Sequence, residues 1–444
     1  MSSRTALETP SDAQQWMAQN GVRAVRVEWS DLNGFGRGKL VPAERFGAVC
    51  RDGIQFSNAA LTFDILSIPA PTAGLGAATG YRNVRAIPDL ATLRAWPVGS
   101  GVAWCLCSLE SLGGGGALVV SPRDFAARIG RQLKEQGWHA RIAPELEFYV
   151  SGSNGDLLEA GFPCYGTESL HVYDAAVQGA LAAVTAFWPL EAWHHEHGPG
   201  QFEINVQHAP YCEAIDALHG VRIAVREAVA RAGLRASFMA KPHNGLNGSA
   251  CQLNLSLQDP SGTNLFAIPG RSGVPSELCK WFVGGVLAHL DEIAAVLLPN
   301  GNSYRRVVPG HFAPVTRAWG LDNRTAAVRV VAHAPATTRV ELRVPGADIC
   351  AHLAVPAFVA AGLDGIARKL DPGPPAEGDL DQGTQPRIVT DWAAALDLFE
   401  QSEWVTAVFG AELAGAFLSV KRQELARFRN WVSDFDTSEY GQRL

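Results

Sequence analysis

Two glutamates in a short apolar segment are the first residues of this chain that could carry chemistry. Glu145 and Glu147 stand two apart within Ala-Pro-Glu-Leu-Glu-Phe, residues 143–148. On a β-strand this spacing puts both carboxylates on one face, about 6 to 7 Å apart. Because ionised carboxylates this close repel each other in apolar surroundings, the pair predicts a bound cation.

Three further glutamates strengthen that prediction. Glu196 and Glu203 follow about 50 residues later, around a Gly-Pro-Gly turn, and Glu341 stands in a third apolar segment. Oxygen ligands at strand-type or turn-type spacing suit Mg²⁺ or Mn²⁺ better than Zn²⁺. The histidines at 194, 195 and 197 could instead suggest zinc. They lack the i, i+4 helical spacing of a zinc peptidase, and we assign them no metal role.

Arginines are frequent in the proline-bounded and glycine-bounded segments near the last of these acids. The set includes Arg305, Arg306, Arg324, Arg329, Arg339 and Arg343. A single arginine is usually a solvated surface group. Several arginines beside a carboxylate metal cluster are what phosphoryl transfer needs, because charge develops on the phosphate oxygens and must be neutralised from both sides.

Length, charge and cysteine content narrow the class of protein. The chain has 444 residues, with 37 basic against 44 acidic and a net charge of -7. It is long enough for two or three domains and lacks the basic surface that nucleic acid requires. Eight cysteines without a CxxC pair predict free thiols in a reducing cytoplasm. The N-terminus has no apolar signal core, and we expect neither a membrane span nor a nucleic-acid partner.

Apolar periodicity and turn signals predict an α+β chain in two domains. A small β-rich domain is expected at 1–112, a glycine-rich linker at 113–120 and a larger domain at 121–444, beginning with an amphipathic helix at 121–136. Other helices are predicted at 11–20, 174–187, 211–232, 275–297, 348–370 and beyond 391. Strands are predicted at 22–29, 39–41, 85–88, 103–109, 203–207, 236–240, 251–257, 328–333 and 339–344. Residues 371–386 are predicted to form a surface loop.

Several motifs, in one order, resemble the glutamine synthetase family over nearly the whole chain. Besides the acids and arginines above, Lys241-Pro242 leading to Asn247-Gly248-Ser249 resembles the family's K-P-x4-NGS segment. Residues 88–94 resemble its P-D-x-x-T-x-R segment, and residues 432–440 are similar to its closing segment, with changes. On these motifs the chain is identified as a member of that family.

This resemblance implies an architecture and a reaction. The expected architecture is an N-terminal β-grasp domain and a catalytic domain whose antiparallel sheet forms an active-site funnel surrounded by helices. Hexameric rings, stacked as a dodecamer, would place active sites between neighbouring subunits of the homo-oligomer. With Mg²⁺ (or Mn²⁺), ATP would phosphorylate the side-chain carboxylate of glutamate, and a nitrogen nucleophile would displace phosphate to leave an amide.

The same resemblance implies a role for each matching position. One metal ion would be held by Glu147, Glu196 and Glu203, and the other by Glu145, Glu341 and Gln252. ATP would be bound by Arg324, Arg329, Arg339 and Ser256, and glutamate by Asn247, Gly248, Arg306 and Arg343. Arg324, Arg306 and Glu341 would take part in catalysis.

Three departures from the family pattern concern the second metal and the nitrogen substrate. Two histidines of the family's GSGxHxHxSL segment are here Gln252 and Asn254, and a glutamine carbonyl is a neutral, weak metal ligand. The family's loop ending in Glu-Ala-Pro reads Phe312-Ala313-Pro314, and its Asp-Gly-Ser-Ser latch has no clear counterpart at 52–58. Both acidic parts of the ammonium site are therefore missing.

We therefore predict that the nucleophile is an amine larger than ammonia, for which Phe312 supplies an apolar contact. In this respect the chain resembles the glutamate-amine ligases of the family. A weakly basic or apolar amine fits best, because it needs little help in losing a proton. Two alternatives stay open: a catalytically silent member kept as a structural or regulatory ring, and a ligase that activates an acid other than glutamate.

Overall fold

The computed structural model describes residues 7–112, 118–158, 162–441 and 443–444 of the chain. Within them lie a six-stranded sheet, a nine-stranded sheet and a two-stranded ribbon, with helices packed against the sheets. This mixed helix and sheet architecture agrees with the predicted α+β class. Residues 113–117, which hold most of the predicted linker at 113–120, lie outside the described residues.

The smaller sheet is formed by the N-terminal part of the chain. Its strands are β1 (Ala24–Ser30), β2 (Gly36–Pro42), β3 (Ile54–Ser57), β4 (Asn83–Pro88), β5 (Arg94–Ala95) and β6 (Val102–Ser111). Their order is β2-β1-β6-β4-β3, with β5 paired to β6, and β1 and β6 run parallel. Two helices accompany them, α1 (Pro10–Gln19) and α2 (Ala43–Asp52). A capping box made by Thr9 and Asp12 fixes the start of α1.

The larger sheet carries the predicted acids. The strands from this part of the chain are β7 (His139–Gly152), β8 (Leu190–His195), β9 (Gln201–Val206), β10 (Ala209–Pro210), β11 (Leu234–Ser237), β12 (Cys251–Gln258), β13 (Ala267–Ile268), β14 (Arg271–Pro275), β15 (Trp319–Leu321), β16 (Val328–Val331) and β17 (Arg339–Leu342). The sheet order is β15-β16-β17-β12-β7-β9-β8, with β10 and β11 also paired to β7, while β13 and β14 form the ribbon. Its strands are antiparallel except for the pair β15 and β16.

Helices surround this sheet and close the chain. They are α3 (Pro122–Glu135), α4 (Ser169–Val172), α5 (Asp174–Thr185), α6 (Tyr211–Arg231), α7 (Glu277–His289), α8 (Ala294–Leu297), α9 (Gly301–Tyr304), α10 (Ala351–Arg368), α11 (Trp392–Gln401), α12 (Glu403–Phe409), α13 (Ala411–Asn430) and α14 (Asp434–Tyr440). As predicted, Pro122 occupies the first turn of α3, and Ser121 caps it. Among the described residues no single helix is long and apolar enough to cross a membrane; by length and composition alone, α12 with residues 411–440 passes as a pair bent by 109°.

A shared core holds the two parts together. Buried apolar side chains of β1, α3, α6 and α10 belong to one continuous cluster. Within it, Glu28 of β1 is 1% exposed and lies 3.0 Å from the Nε2 of His219 on α6. The Nε1–H of Trp104 donates to the same carboxylate at 3.2 Å. Because the buried charge is hydrogen-bonded from both sides, it anchors the smaller sheet to α6.

Two predicted elements differ from the structure. The helix expected at 275–297 is broken, since α7 ends at His289 and α8 begins at Ala294. His289 contacts Glu292 at 2.6 Å and Asp364 at 2.8 Å, so polar contacts turn the chain where apolar periodicity would continue it. The strand expected at 236–240 already ends at residue 237. Strand β8, which runs up to the Gly-Pro-Gly turn, is an element that the turn signals did not reveal.

Candidate active site

Strand register collects the predicted acids on one face of the larger sheet. From residue 140 to residue 148, β7 alternates between buried even-numbered and half-buried odd-numbered positions, which include Glu145 and Glu147. Glu147 lies opposite Glu203 of β9, and Glu145 lies opposite Gln252 of β12. Glu341 follows one strand further, on β17. The prediction that Glu145 and Glu147 share a face is confirmed.

Four of the five acids, Glu145, Glu147, Glu196 and Glu203, line a cavity of about 260 Å³. Most of the predicted site residues line it: Glu145, Glu147, Glu196, Glu203, Asn247, Gly248, Gln252, Arg306, Phe312, Arg324 and Arg343. The remaining four, Ser256, Arg329, Arg339 and Glu341, lie outside the lining. The cavity wall also includes residues to which we assigned no role from the sequence: Tyr165, His197, Gln201 and His311.

Three of the acids, Glu145, Glu147 and Glu203, have mostly neutral hydrogen-bond partners; we name them the strand carboxylates. The amide of Asn254 donates to Glu145 at 2.9 Å, and the backbone N–H of Ala250 donates to Glu147 at 2.9 Å. Burial, together with the charge of neighbouring carboxylates, raises the pKa of each strand carboxylate to about 7. A divalent cation would neutralise this group, so the donor set fits Mg²⁺ or Mn²⁺.

Glu196 differs because it has a histidine partner. His194 Nε2 lies 3.0 Å from Glu196 Oε1 and 3.9 Å from Glu203 Oε2. Burial acts to raise the pKa of Glu196, but the hydrogen bond and charge of His194 outweigh it and lower that pKa. The same hydrogen bond raises the pKa of His194. One ligand atom from each of the three residues lies within 4.8 Å of the others, so they form a compact group for a cation. From the sequence alone, we assign His194 no metal role.

Glu341 is fully buried between two arginines. Arg329 donates to its Oε2 at 2.7 Å, and Arg343 donates to its Oε1. Arg343 also donates to the side-chain oxygen of Gln252. Two of the three predicted ligands of the second ion, Glu341 and Gln252, are thus hydrogen-bonded to arginines, which must move before these oxygens can bind a cation. The buried Nε–H of Arg343 has no hydrogen-bond partner among the described residues, and it suits an anionic ligand.

The other predicted phosphate-binding residues are spread around the cavity. Arg339 donates from Nε to Asn254 Oδ1 at 2.8 Å, and Ser256 lies half-buried further along β12. Arg324 is exposed and lines a second, more open groove of about 470 Å³, formed by residues 321–324 and 375–378. Arg324 therefore stands where the two cavities meet.

The segment that holds Asn247 and Gly248 approaches the sheet closely. Tyr149 donates its hydroxyl to the carbonyl of Asn247 at 2.8 Å, and Gln201 donates to that of Gly248 at 3.0 Å. A Cβ at Gly248 would lie 2.3 Å from a backbone carbonyl and 2.7 Å from the side chain of Arg306. Only glycine fits at this approach, which places two backbone groups and a guanidinium together at the cavity.

The mouth of the cavity is aromatic. Phe312 is 66% exposed and has a left-handed backbone, with φ at 55°. Its ring stacks on His197, with the centroids 4.8 Å apart and the planes 11° from parallel; we name this pair the aromatic wall. Two residues before Phe312, the backbone N–H of Gly310 donates to Asp381 at 2.7 Å. This loop contributes His311 and Phe312 to the described cavity lining, and it contributes no carboxylate there.

Comparison with known proteins identifies relatives over nearly the whole chain. A family model described as the catalytic domain of glutamine synthetase matches residues 119–440. A glutamate–isopropylamine ligase from a Pseudomonas species is 31% identical over 96% of both chains. A gamma-glutamylethanolamide synthetase from Streptomyces coelicolor is 30% identical over 96% of this chain and 94% of that protein. A solved complex of GmaS with ADP superposes with a TM-score of 0.86 at 27% identity, covering 97% of this chain and 99% of that one.

Proposed function

Because the chain belongs to the glutamine synthetase family and is a carbon–nitrogen ligase, we propose that it joins glutamate to an amine larger than ammonia. The product is a γ-glutamyl amide, and ATP is converted to ADP and phosphate. Two relatives whose names contain isopropylamine and ethanolamide support an amine as the nitrogen substrate.

The observation that carries this proposal is the aromatic wall at the cavity mouth. The exposed face of Phe312 offers an apolar contact to an alkyl or aryl substituent, because His197 covers its other face. Ammonia has no substituent to use that contact. A carboxylate at this loop would suit ammonium, and the loop supplies none to the described lining.

Carboxylates in and next to the cavity would hold the metal. Glu147, Glu196 and Glu203 would bind one Mg²⁺ or Mn²⁺ ion, while Glu145, Gln252 and Glu341 would bind a second once the arginines have moved. When bound, the ions would neutralise charge on the phosphate oxygens of ATP. Within the chain, His194 keeps Glu196 ionised and oriented, since it lowers the pKa of that carboxyl.

Arginines would bind the two anionic substrates. Arg324, Arg329 and Arg339, with Ser256, would contact ATP; the position of Arg324 between two cavities supports this role. Glutamate would contact Asn247, Gly248, Arg306 and Arg343, and the unpartnered Nε–H of Arg343 supports a bound carboxylate. Before the second ion binds, Glu341 accepts hydrogen bonds from Arg329 and Arg343; in catalysis it would act as a ligand of that ion.

The reaction then takes two steps. A γ-carboxylate oxygen of glutamate attacks the γ-phosphorus of ATP, and ADP leaves. The amine nitrogen attacks the carbonyl carbon of the γ-glutamyl phosphate, the carbon–nitrogen bond forms, and the bond from carbon to the phosphate oxygen breaks. The proton of the amine passes to solvent as phosphate departs. Weakly basic amines reach the reactive, unprotonated form most easily.

The domain plan and assembly are part of the same proposal. Residues 1–112 would be a β-grasp domain, 113–120 a linker and 121–444 the catalytic domain; the central parallel pair of β1 and β6 supports the first of these. Ring-shaped homo-oligomers would share active sites between subunits. Exposed apolar side chains support such contacts, including Ile65, Leu66, Ile68, Trp431, Val432 and Phe435.

Phosphate release from ATP, Mg²⁺ and glutamate tests the proposal. The panel comprises ammonia, methylamine, ethanolamine, putrescine, spermidine, isopropylamine and aniline, with a control lacking glutamate. We expect glutamate-dependent release that is faster with a substituted amine than with ammonia. Faster use of ammonia than of any amine would contradict the amine assignment. If the protein binds ATP–Mg but releases no phosphate in response to glutamate, it activates another acid. If it does not bind ATP–Mg, it is a catalytically silent ring.

A further inference from the structure

A second group of possible metal ligands lies beside the aromatic wall. Side-chain ligand atoms of Cys164, Glu196 and His197 all lie within 4.8 Å of one another. Cys164 is a half-buried free thiol, and His197 is exposed. The backbone N–H of Tyr165 donates to the carbonyl of His195 at 2.9 Å, which holds the cysteine next to the end of β8. These contacts bring a sulfur, a nitrogen and an oxygen donor together from two segments of the chain.

This donor set differs in kind from the carboxylates deeper in the cavity. A thiolate and an imidazole are soft or intermediate ligands that select Zn²⁺ over Mg²⁺, which prefers oxygen. Three protein ligands with an open fourth position are typical of zinc sites that remain accessible to solvent. With bonds of about 2.0 to 2.3 Å, tetrahedral ligands lie about 3.3 to 3.8 Å apart. A separation of up to 4.8 Å can close to this by side-chain rotation of an exposed histidine and a loop cysteine.

We propose that Cys164, Glu196 and His197 form a binding site for a thiophilic divalent cation of the Zn²⁺ class, and that its occupation inhibits the enzyme. Two of the ligands link the site to the cavity. Glu196 also belongs to the group with His194 and Glu203, so a cation bound through Cys164 withdraws it from that group. His197 supports the stacked ring of Phe312, and coordination reorients its imidazole. The inhibitory part of this inference rests on the proposed ligase function, whereas the binding part does not.

Cobalt spectroscopy tests the binding directly. Co²⁺ is titrated into the full-length, metal-free protein after Mg²⁺ has been added in excess to occupy oxygen-ligand sites. A Co²⁺–thiolate bond gives a near-ultraviolet charge-transfer band that carboxylate and imidazole ligands do not give. We expect a band that saturates at one Co²⁺ per chain and is displaced by Zn²⁺. It should be absent from Cys164→Ser and retained by Cys212→Ser, which removes a different, exposed thiol.

Three variants decide whether the thiolate band comes from the proposed site. His197→Ala should weaken Co²⁺ binding at least tenfold while leaving the thiolate band detectable at high Co²⁺, and it serves as a second variant if Cys164→Ser fails to give the wild-type melting curve. Lack of a band in the wild type, or its persistence in Cys164→Ser, overturns the site. Loss of the band in Cys212→Ser also overturns it.

Inhibition is measured separately, in the phosphate-release assay with Mg²⁺ in excess. We expect one equivalent of Zn²⁺ to reduce the wild-type rate at least fivefold and to leave the Cys164→Ser rate within twofold of its value without Zn²⁺. Equal inhibition of both proteins would overturn the inhibitory role. If no amine supports turnover but the thiolate band behaves as expected, the ligase proposal fails while the metal site stands.

Discussion

Phe312 provides the sharpest test of amine selection, because its backbone and its ring can be perturbed separately. Its φ of 55° lies in the left-handed region, which costs most non-glycine residues about 1 to 2 kcal/mol and is adopted most readily by asparagine. Phe312→Asn should therefore keep the loop conformation and remove the apolar contact. Phe312→Leu keeps an apolar contact in the same place and loses only the stacking on His197.

The expected magnitude follows from the area that one ring face can cover. Burial of a methylene-sized group contributes about 0.8 kcal/mol. Since His197 occupies one face of Phe312, a three-carbon amine can place only one of its sides on the ring. We expect a contribution of about 1.2 kcal/mol, or about an eightfold change in kcat/KM. Phe312→Asn should lose this factor with isopropylamine, chiefly through KM, and change by less than twofold with ammonia.

Steady-state ADP release at saturating ATP and glutamate measures both variants, and thermal melting controls for folding. Phe312→Leu should stay within about threefold of the wild type with isopropylamine. If kcat/KM of Phe312→Asn falls by the same factor with ammonia as with isopropylamine, the ring stabilises the loop and does not contact the substituent. If the leucine variant falls as far as the asparagine variant, an apolar contact is not what Phe312 supplies.

Three further predictions concern the acids and the loop. The pKa of the strand carboxylates rises from the ordinary 4.5 to about 7 on folding, so the folded state binds more protons than the unfolded state between these values. Metal-free protein should lose stability as pH rises through this window, and Mg²⁺ should raise the melting temperature more at about pH 8 than at about pH 5.5; an equal Mg²⁺ effect at both would contradict this. Glu341→Gln leaves Arg329 and Arg343 without their shared buried counter-charge and should cost about 3 to 5 kcal/mol in urea unfolding, so a loss below about 1 kcal/mol would refute the pairing. Asp381→Ala removes the acceptor that holds the Phe312 loop and should raise KM for the amine about three- to tenfold, whereas Asp381→Asn, which keeps an acceptor oxygen, should not; an equal rise in KM for glutamate would show a general defect.

Local patterns predict the parts of the site that lie within one segment. The alternation of residues 140–148 is enough to place Glu145 and Glu147 on one face, because strand side chains alternate with period two. The approach of His194 to Glu203, 3.9 Å between Nε2 and Oε2, depends instead on how β8 and β9 meet across their hairpin. Likewise, the hydrogen bond from Arg343 to Gln252 joins β17 to β12. Contacts of this kind follow from strand register, which no single segment specifies.

The prediction of helix boundaries from sequence fails for a related reason. Residues 275–297 have the apolar periodicity of one helix, yet the chain turns after His289 because distant side chains bind it there. Asp364 of α10 contacts His289 at 2.8 Å, and Arg317 contacts Asp291 at 2.9 Å. Burial of the histidine between two carboxylates outweighs the local propensity to continue the helix. Glu292 is only three residues from His289. Asp364 and Arg317, however, are more than 25 residues from the side chains they contact here, beyond the reach of any local pattern.

The charge distribution of the cavity bears on what the aromatic wall contributes to amine selection. The strand carboxylates that line it have mostly neutral partners, whereas the carboxylate of Glu341, outside the lining, is matched by two arginines. An alkylammonium ion approaching from solvent is therefore attracted by its charge towards the acidic side. Ammonium feels the same attraction, so charge alone cannot distinguish the two substrates. Under the proposed function, discrimination comes from the substituent, which the exposed ring of Phe312 at the mouth would cover.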